Sequence, residues 1–445
     1  MLRYIAAKIF GKFESKEEFR KFGMLAVIFG LIIGYYWTLR PIKDSVFNAI
    51  VGGEHLWLAK ILSVFIVVPL ILIYSKLVDT FPRHKVFYLL VGLYAVATMA
   101  FTVALAHPTI GLMNTVPDQG RYIGWAFYCF VETFGSIIIA LFWILATDMT
   151  LPEAAERGFP IIALFGQLGN IMGPLFLNTH RLGLTTSAPI VGICSLILLA
   201  VIFLMWFFMK TTPRSLLTGY HGHAAPGEKI AEPGFFEGLK LIFTNGYLFG
   251  IFAIITIYEV IATVIDYHFK QTAFATFATE AQVSAFLSGY ATYVGIVACI
   301  CLISGISRIQ RIMGITASLF MLPILMIVAI LTIKFNPTSL TIALWIMVLA
   351  KAINYALNQP TMKQLYIPTS KEARYKSQGW IEMFGGRNSK AAASIFNGYR
   401  KNLGVTFFLT AATLMSLSLI AFWFFIAFYV ARTYNHAIKN NEVVC

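Results

Sequence analysis

Charge is scarce in this chain. Asp, Glu, Lys and Arg make up 12% of its 445 residues, where a soluble protein carries about 25%. Hydrophobic residues reach 58% and mean hydropathy is +0.76, which excludes an ordinary soluble globular class. Acidic residues are the scarcer kind, 20 against 34 Lys and Arg, for a net charge of +14. The basic residues lie between apolar runs and not along one polar face, so they read as loop charges of a membrane protein and no nucleic-acid partner is expected. Only five cysteines occur (Cys129, Cys194, Cys299, Cys301 and Cys445), none at disulfide or metal-ligand spacing. They read as small core residues, with no metal or cofactor implied. No covalent chemistry is implied either, so the chain is not expected to be an enzyme.

What is abundant is apolar length. Runs of about 20 residues recur along the chain, the mark of an all-α polytopic membrane protein. A window of about 19 residues gives roughly twelve spans. The span near residue 387, within SQGWIEMFGGRNSKAAASIFNGY, is polar and Gly-rich and needs shielding by neighbours or a water-filled cavity. The N-terminal tail, FPRHK, the 212–240 connection, SRIQR and TSKEARYK fall on one side and hold most of the loop Lys and Arg. That asymmetry puts both termini in the cytoplasm. The start of the chain is amphipathic and basic but carries Glu14, Glu17 and Glu18, unlike an acid-poor transit peptide. It is expected to lie at the membrane surface.

The longest inter-span segment lies near mid-chain and is rich in Gly, Pro and His. It divides the chain into an N-terminal segment (1–22), a six-helix half (23–211), a linker (212–240), a second six-helix half (241–433) and a tail (434–445). The halves echo one another: PEAAERGFPIIALFG (152–166) is answered by PTSKEARYKSQGWIEMFG (368–385). Two parallel six-span repeats are the architecture of major-facilitator transporters. KLVDTFPRHK, after the second span, loosely resembles that superfamily's Asp-then-Arg loop, and GISRIQRIMG in the second half lacks the acid.

Ionisable side chains within spans are expensive, about 2.5–3.5 kcal/mol each on insertion scales. In YYWTLRPIKDSVF, Arg40 and Asp44 are four residues apart and can pair along one face. Lys43 is left without a local partner, and Pro41 opens the backbone beside it. Glu132, in CFVETFGS, is a lone carboxylate that is either paired with a distant cation or titratable. In TIYEVIATVIDYHFK, Glu259, Asp266 and Lys270 recur at seven and four residues, near one face, although Lys270 can snorkel to the membrane edge. Lys351, Asn354 or Tyr355, and Asn358 share a further face. Lys363, Arg374, Lys376, Arg387 and Lys390 follow, the last two in FGGRNSK, which contains no Walker pattern. Cations outnumber anions at depth, which suits an anionic, phosphate-bearing substrate better than a proton or sodium pump. Tyr35, Tyr36, Trp37, Phe134, Tyr258 and Tyr355 could stack a base, but in a chain that is 15% aromatic each is more readily explained as packing.

RPIKDSVF, VETFGS, DYHFK, PTMKQLYIP, RYK and FGGRNSK, in this order, resemble the nucleotide transporter (ATP/ADP translocase) family of intracellular bacteria and plastids. That resemblance implies a major-facilitator-like carrier exchanging ATP against ADP by alternating access around a central cavity, with the lipid bilayer of a bacterial inner membrane as its surroundings and a monomer as its working form. By the same resemblance the substrate-critical positions are Lys43, Glu132, Asp266, Lys270 and Lys376. Arg40, Lys351, Asn358 and Arg387 complete the expected binding set. Asp266 stands where the family usually has Glu, and Gln364 where an acid or other polar residue is common. Alternatives are proton-coupled net import by the same family, using Glu132 or Asp266, and a major-facilitator organic-anion exporter.

Overall fold

A computed structural model of the chain describes residues 15–213, 216–217, 237–303, 306–370, 373, 377–378, 380–381, 385–440 and 442–444. Most of the amphipathic start, most of the mid-chain linker, and Arg374 and Lys376 lie outside the described residues.

The first helix starts where its sequence says it should. Ser15 is followed three residues later by Glu18, a capping pattern, and the Ser15 hydroxyl accepts from the Glu18 N–H at 2.9 Å. From there α1 runs unbroken over Lys16–Ile50, through Pro41. It is followed by α2 (Leu56–Thr80), α3 (Arg83–Ala106), α4 (Tyr122–Asp148), α5 (Pro152–Phe176) and α6 (Ala188–Thr211). After the linker come the short α7 (Glu237–Thr244), then α8 (Gly246–Thr276), α9 (Glu280–Ile303), α10 (Ile306–Phe335) and α11 (Leu340–Ile353). A π-turn at Asn354–Asn358 leads into α12 (Gln359–Gln364), and the chain continues through α13 (Gly386–Gly398), α14 (Arg400–Leu403) and α15 (Val405–Asn440).

Among the described residues eleven helical segments are long and apolar enough to cross a bilayer, against roughly twelve expected. The difference falls on the segment near residue 387. There α13 has 13 residues, about 20 Å of helix, too short to count as a span by itself. Large apolar side chains stand exposed along the bundle, Phe65 at 72%, Val96 at 71% and Phe425 at 77%. Such a surface is a liability in water and the normal exterior in lipid.

Residue contacts sort the chain into two units, Met1–Glu228 with Phe277–Gly295, and Lys229–Thr276 with Ile296–Cys445. In the first unit α1 is the central helix, packed most extensively on α5 and also on α4 and α6. Its closest approach is to α5, where Gly30 and Gly34 meet Gly169 and Gly173 backbone to backbone. Small residues at a helix crossing are what dispersion-driven association in a membrane requires. Arg157, in the PEAAER segment, pairs with Glu18 at 2.9 Å. Nearby the buried Lys21 ammonium donates to the Met149 carbonyl at the end of α4, and to Leu216 O at 2.8 Å. In the second unit α8 packs against α13, α15 and α11, while α10 packs against α15.

Candidate functional site

Each unit carries its own set of charged side chains. In the first, Lys43 and Asp44 are almost fully buried, with side chains 3% and 4% exposed. Lys43 Nζ lies 2.8 Å from Asp44 Oδ1 and 3.2 Å from Glu132 Oε1 on α4, and 3.9 Å from the centre of the Tyr128 ring. Sequence reasoning left Lys43 with no local partner and gave Asp44 to Arg40. Adjacent helical positions do not face each other, but the four-carbon lysine stem folds back far enough to reach Asp44. The Arg40 guanidinium lies 4.8 Å over the Trp37 ring, and its charge also acts on Lys43 and Glu132. Two cations and two carboxylates therefore balance within one cluster. Glu132 is its most accessible carboxylate, 29% exposed at the side chain.

The local backbone suits this cluster. Pro41 has no N–H, so it cannot donate to the Trp37 carbonyl, and α1 lacks one rung beside the charges. On α4, Ser136 donates back to the Glu132 carbonyl at 3.1 Å. A buried ion pair of this kind is weak support for stability, because desolvation offsets most of the Coulombic gain. The cluster therefore contributes little net stability to the unit.

In the second unit, Asp266 and Lys270 pair at 2.9 Å along α8. Glu259, seven residues earlier, pairs instead with Lys390 on α13 at 3.4 Å. Lys351 lies 5.8 Å from the centre of the Tyr258 ring. Asn358 donates to Asn354 at 2.9 Å across the π-turn, with the Gln359 N–H reaching the Asn354 carbonyl five residues back. The π-turn has a local cause. Pro360 cannot supply the next rung, and its ring crowds the carbonyl four residues earlier, so the helix widens at the very residues singled out from the sequence. Single π-turns recur at functional sites. Arg387 is half-buried in the first turn of α13. Lys376 lies outside the described residues.

Three features had no clear signal in the sequence. Tyr128 faces Lys43 but looks like any buried aromatic. His268 accepts from Arg400 Nη1 at 2.7 Å through Nδ1, and its Nε2 is 3.1 Å from the Pro337 carbonyl, joining three segments of the second unit. Glu280, the first residue of α9, accepts from Ser45 Oγ at 2.8 Å, from the Ser187 N–H at 2.9 Å and from Ser187 Oγ at 2.7 Å. Thr179 and Asn178 donate to the carbonyls of Ala281 and Ala285 at 2.6 and 3.1 Å. Glu280 thus ties the start of α9 to α1 and α6 within the first unit. Hydrogen bonds to charged groups contribute about 1.5–3 kcal/mol, and Ser45 and Ser187 are buried. Glu280→Ala is expected to lower the stability of the detergent-solubilised protein by about 2–3 kcal/mol, read as a lower thermal unfolding midpoint, with Glu280→Gln recovering part of the loss.

Comparison with known proteins meets this geometry at family level. The family described as TLC ATP/ADP transporter matches residues 7–435. The chain belongs to that family. Among individual proteins, ADP,ATP carrier protein 1 of Rickettsia prowazekii is 25% identical to it over 492 aligned positions, covering 98% of this chain and 97% of that protein. ADP,ATP carrier protein 1 of Rickettsia bellii is 23% identical, covering 96% and 93%. In fold, the chain resembles a bacterial homologue of the human lysosomal transporter Spinster, crystallised inward-facing and unoccupied. That likeness has a TM-score of 0.64 at 14% identity and covers 95% of this chain and 99% of that one. The resemblance read from RPIKDSVF and its companion motifs is thereby borne out, as is the all-α, major-facilitator-like architecture. This TLC ATP/ADP transporter family member is a polytopic membrane transporter.

Proposed function

We propose that the chain exchanges nucleotides across a bacterial inner membrane, ATP against ADP, by alternating access, with both termini cytoplasmic and a monomer as the working unit. The observation that carries this reading is Lys43, buried at 3% side-chain exposure between Asp44 and Glu132. Lysine offers three donors and no acceptor, and here two carboxylates and an aromatic face occupy them. An entering phosphate competes with the accessible Glu132 for the same ammonium, while Asp44 keeps the cation neutralised once the phosphate leaves. Arg40 adds the second positive charge of the set. In the second unit the Asp266–Lys270 pair, 2.9 Å apart, offers the same exchange of a carboxylate for a phosphate, and Lys351, Asn358, Arg387 and Lys376 are the further binding residues proposed for that unit.

The arrangement favours exchange over net import. The Lys43 ammonium is held between Asp44 and Glu132, and a bound phosphate takes the place of Glu132. If reorientation requires that carboxylate pair to be broken, the carrier without substrate stays put and each nucleotide entering requires one leaving. Names carried by the Rickettsia relatives support ATP and ADP as the pair. Uptake of labelled ATP into vesicles is expected to require ADP or ATP inside and to persist in the presence of a protonophore. Uptake into vesicles without internal nucleotide, abolished by the protonophore, would falsify exchange and establish proton-coupled import.

A further inference from the structure

We propose that Tyr36, seated against Gly135 and flanked by Trp37, is the platform on which the nucleobase of the substrate stacks; this rests on the nucleotide-transport reading above. The aromatic residues of YYW and VETFGS divide into two kinds. Tyr35 and Phe134 are core, at 1% and 0% exposure, with the Tyr35 hydroxyl 2.8 Å from Thr98 Oγ1. Tyr36 and Trp37 are not: both are half-exposed. A half-buried aromatic pair in a membrane helix can face lipid, but this pair shares its part of the helix with charge. Tyr36, Arg40 and Lys43 recur at four and three residues and so lie along one face of α1, and Glu132 meets that face from α4. Ionisable groups at this depth face the protein interior or a water-filled path, not lipid.

The ring of Tyr36 is also held in place. Its edge lies over the bare backbone of Gly135, where a Cβ would come within 2.5 Å of Cε2 and 2.6 Å of Cζ. Tyr36 lies nearly parallel to Phe134, 6.5 Å and 21° apart, and edge-on to Trp37 at 6.4 Å and 76°. The glycine of VETFGS is thus explained by a ring that needs its space, three residues from the carboxylate that pairs with Lys43. Seven residues separate Tyr36 from Lys43, about 10 Å along the axis. An extended nucleoside di- or triphosphate covers that reach, base on the ring and terminal phosphates on the ammonium, with Arg40 between. A flat platform of this kind recognises a base through its π-face, tolerant of its edge.

The test compares a ligand with a base and one without. Labelled ATP uptake is measured in proteoliposomes for wild type, Tyr36→Leu, Tyr36→Phe and Gly135→Ala, with unlabelled ATP and inorganic tripolyphosphate as competitors. Losing one stacked base weakens binding by about tenfold, so Tyr36→Leu and Gly135→Ala are expected to raise the half-inhibitory concentration of ATP about tenfold, leaving that of tripolyphosphate unchanged. Tyr36→Phe restores ATP recognition. Unchanged ATP potency in these variants, or equal weakening of ATP and tripolyphosphate, overturns the platform while leaving nucleotide transport standing. Gly135→Ala gives the same reading should Tyr36→Leu fail to assemble. Wild-type protein that takes up no nucleotide overturns the transport reading and the platform with it.

Discussion

Lys43→Ala is expected to reduce nucleotide uptake by a factor of about 10²–10³, because losing one partner of a buried charge pair with a ligand costs about 3–4 kcal/mol of binding and each 1.4 kcal/mol is tenfold. The loss has two components. Asp44 and Glu132, 2.8 and 3.2 Å from the ammonium in the native protein, lose their neutralising charge and face one another across a low-dielectric site. An arriving phosphate then meets two carboxylates and no ammonium, so attraction turns to repulsion. The double variant Lys43→Ala/Asp44→Ala separates the components. It is expected to regain most of the thermal stability lost by the single variant, since no surplus buried anion remains, and to stay defective in uptake. Lys43→Arg keeps the charge but exchanges a compact ammonium for a rigid planar fork, and is expected to transport at an intermediate rate. Uptake measured in proteoliposomes at matched protein content decides the matter. A Lys43→Ala protein that transports near the wild-type rate sinks the assignment of this cluster to the substrate.

The fold class, the approximate number of spans and the family were all legible in the sequence, for one physical reason. Long apolar runs report burial in lipid whatever their tertiary contacts, and charges within them are rare enough to be counted one by one. Pairing was less legible. The contact between Lys43 and Asp44 had no signal, because a long flexible lysine reaches its neighbour sideways, which no periodicity encodes. Glu259, Asp266 and Lys270 were grouped on one face, and the structure divides them between an in-helix pair and a contact with Lys390. Glu280 went unnoticed because it looks like a loop residue at the start of a span. Its three donors come from Ser45 and Ser187, far away in sequence. The polar segment around residue 387 is where apolar length ceases to be informative, and it accounts for the difference in span number.

The second large effect is expected where chemistry is absent. Gly169→Leu is expected to abolish folded protein, and Gly169→Ala to lower the thermal midpoint, because a Cβ at Gly169 runs into the Gly30 carbonyl of α1. One turn on, a Cβ at Gly173 would lie 2.5 Å from Gly34 O and 2.8 Å from Thr38 Oγ1. Backbone cannot swing aside as a flexible side chain can, so overpacking here reaches or exceeds the usual range of about 1–3 kcal/mol. Gly92, midway along α3, makes the contrast. Nothing lies within 4 Å of a Cβ placed there, and Gly92→Ala is expected to leave the midpoint unchanged or raised, since alanine is the better helix former by about 1 kcal/mol. Thermal unfolding of the three variants in one detergent gives the comparison, and equal midpoints for Gly169→Ala and Gly92→Ala would contradict it. The consequence reaches function through α1. The same helix that packs glycine to glycine on α5 carries Tyr36, Arg40 and Lys43 further along its length. A substitution that pushes α1 off α5 therefore moves Lys43 away from Glu132, and Gly169→Ala is expected to lose uptake beyond what its lower stability explains.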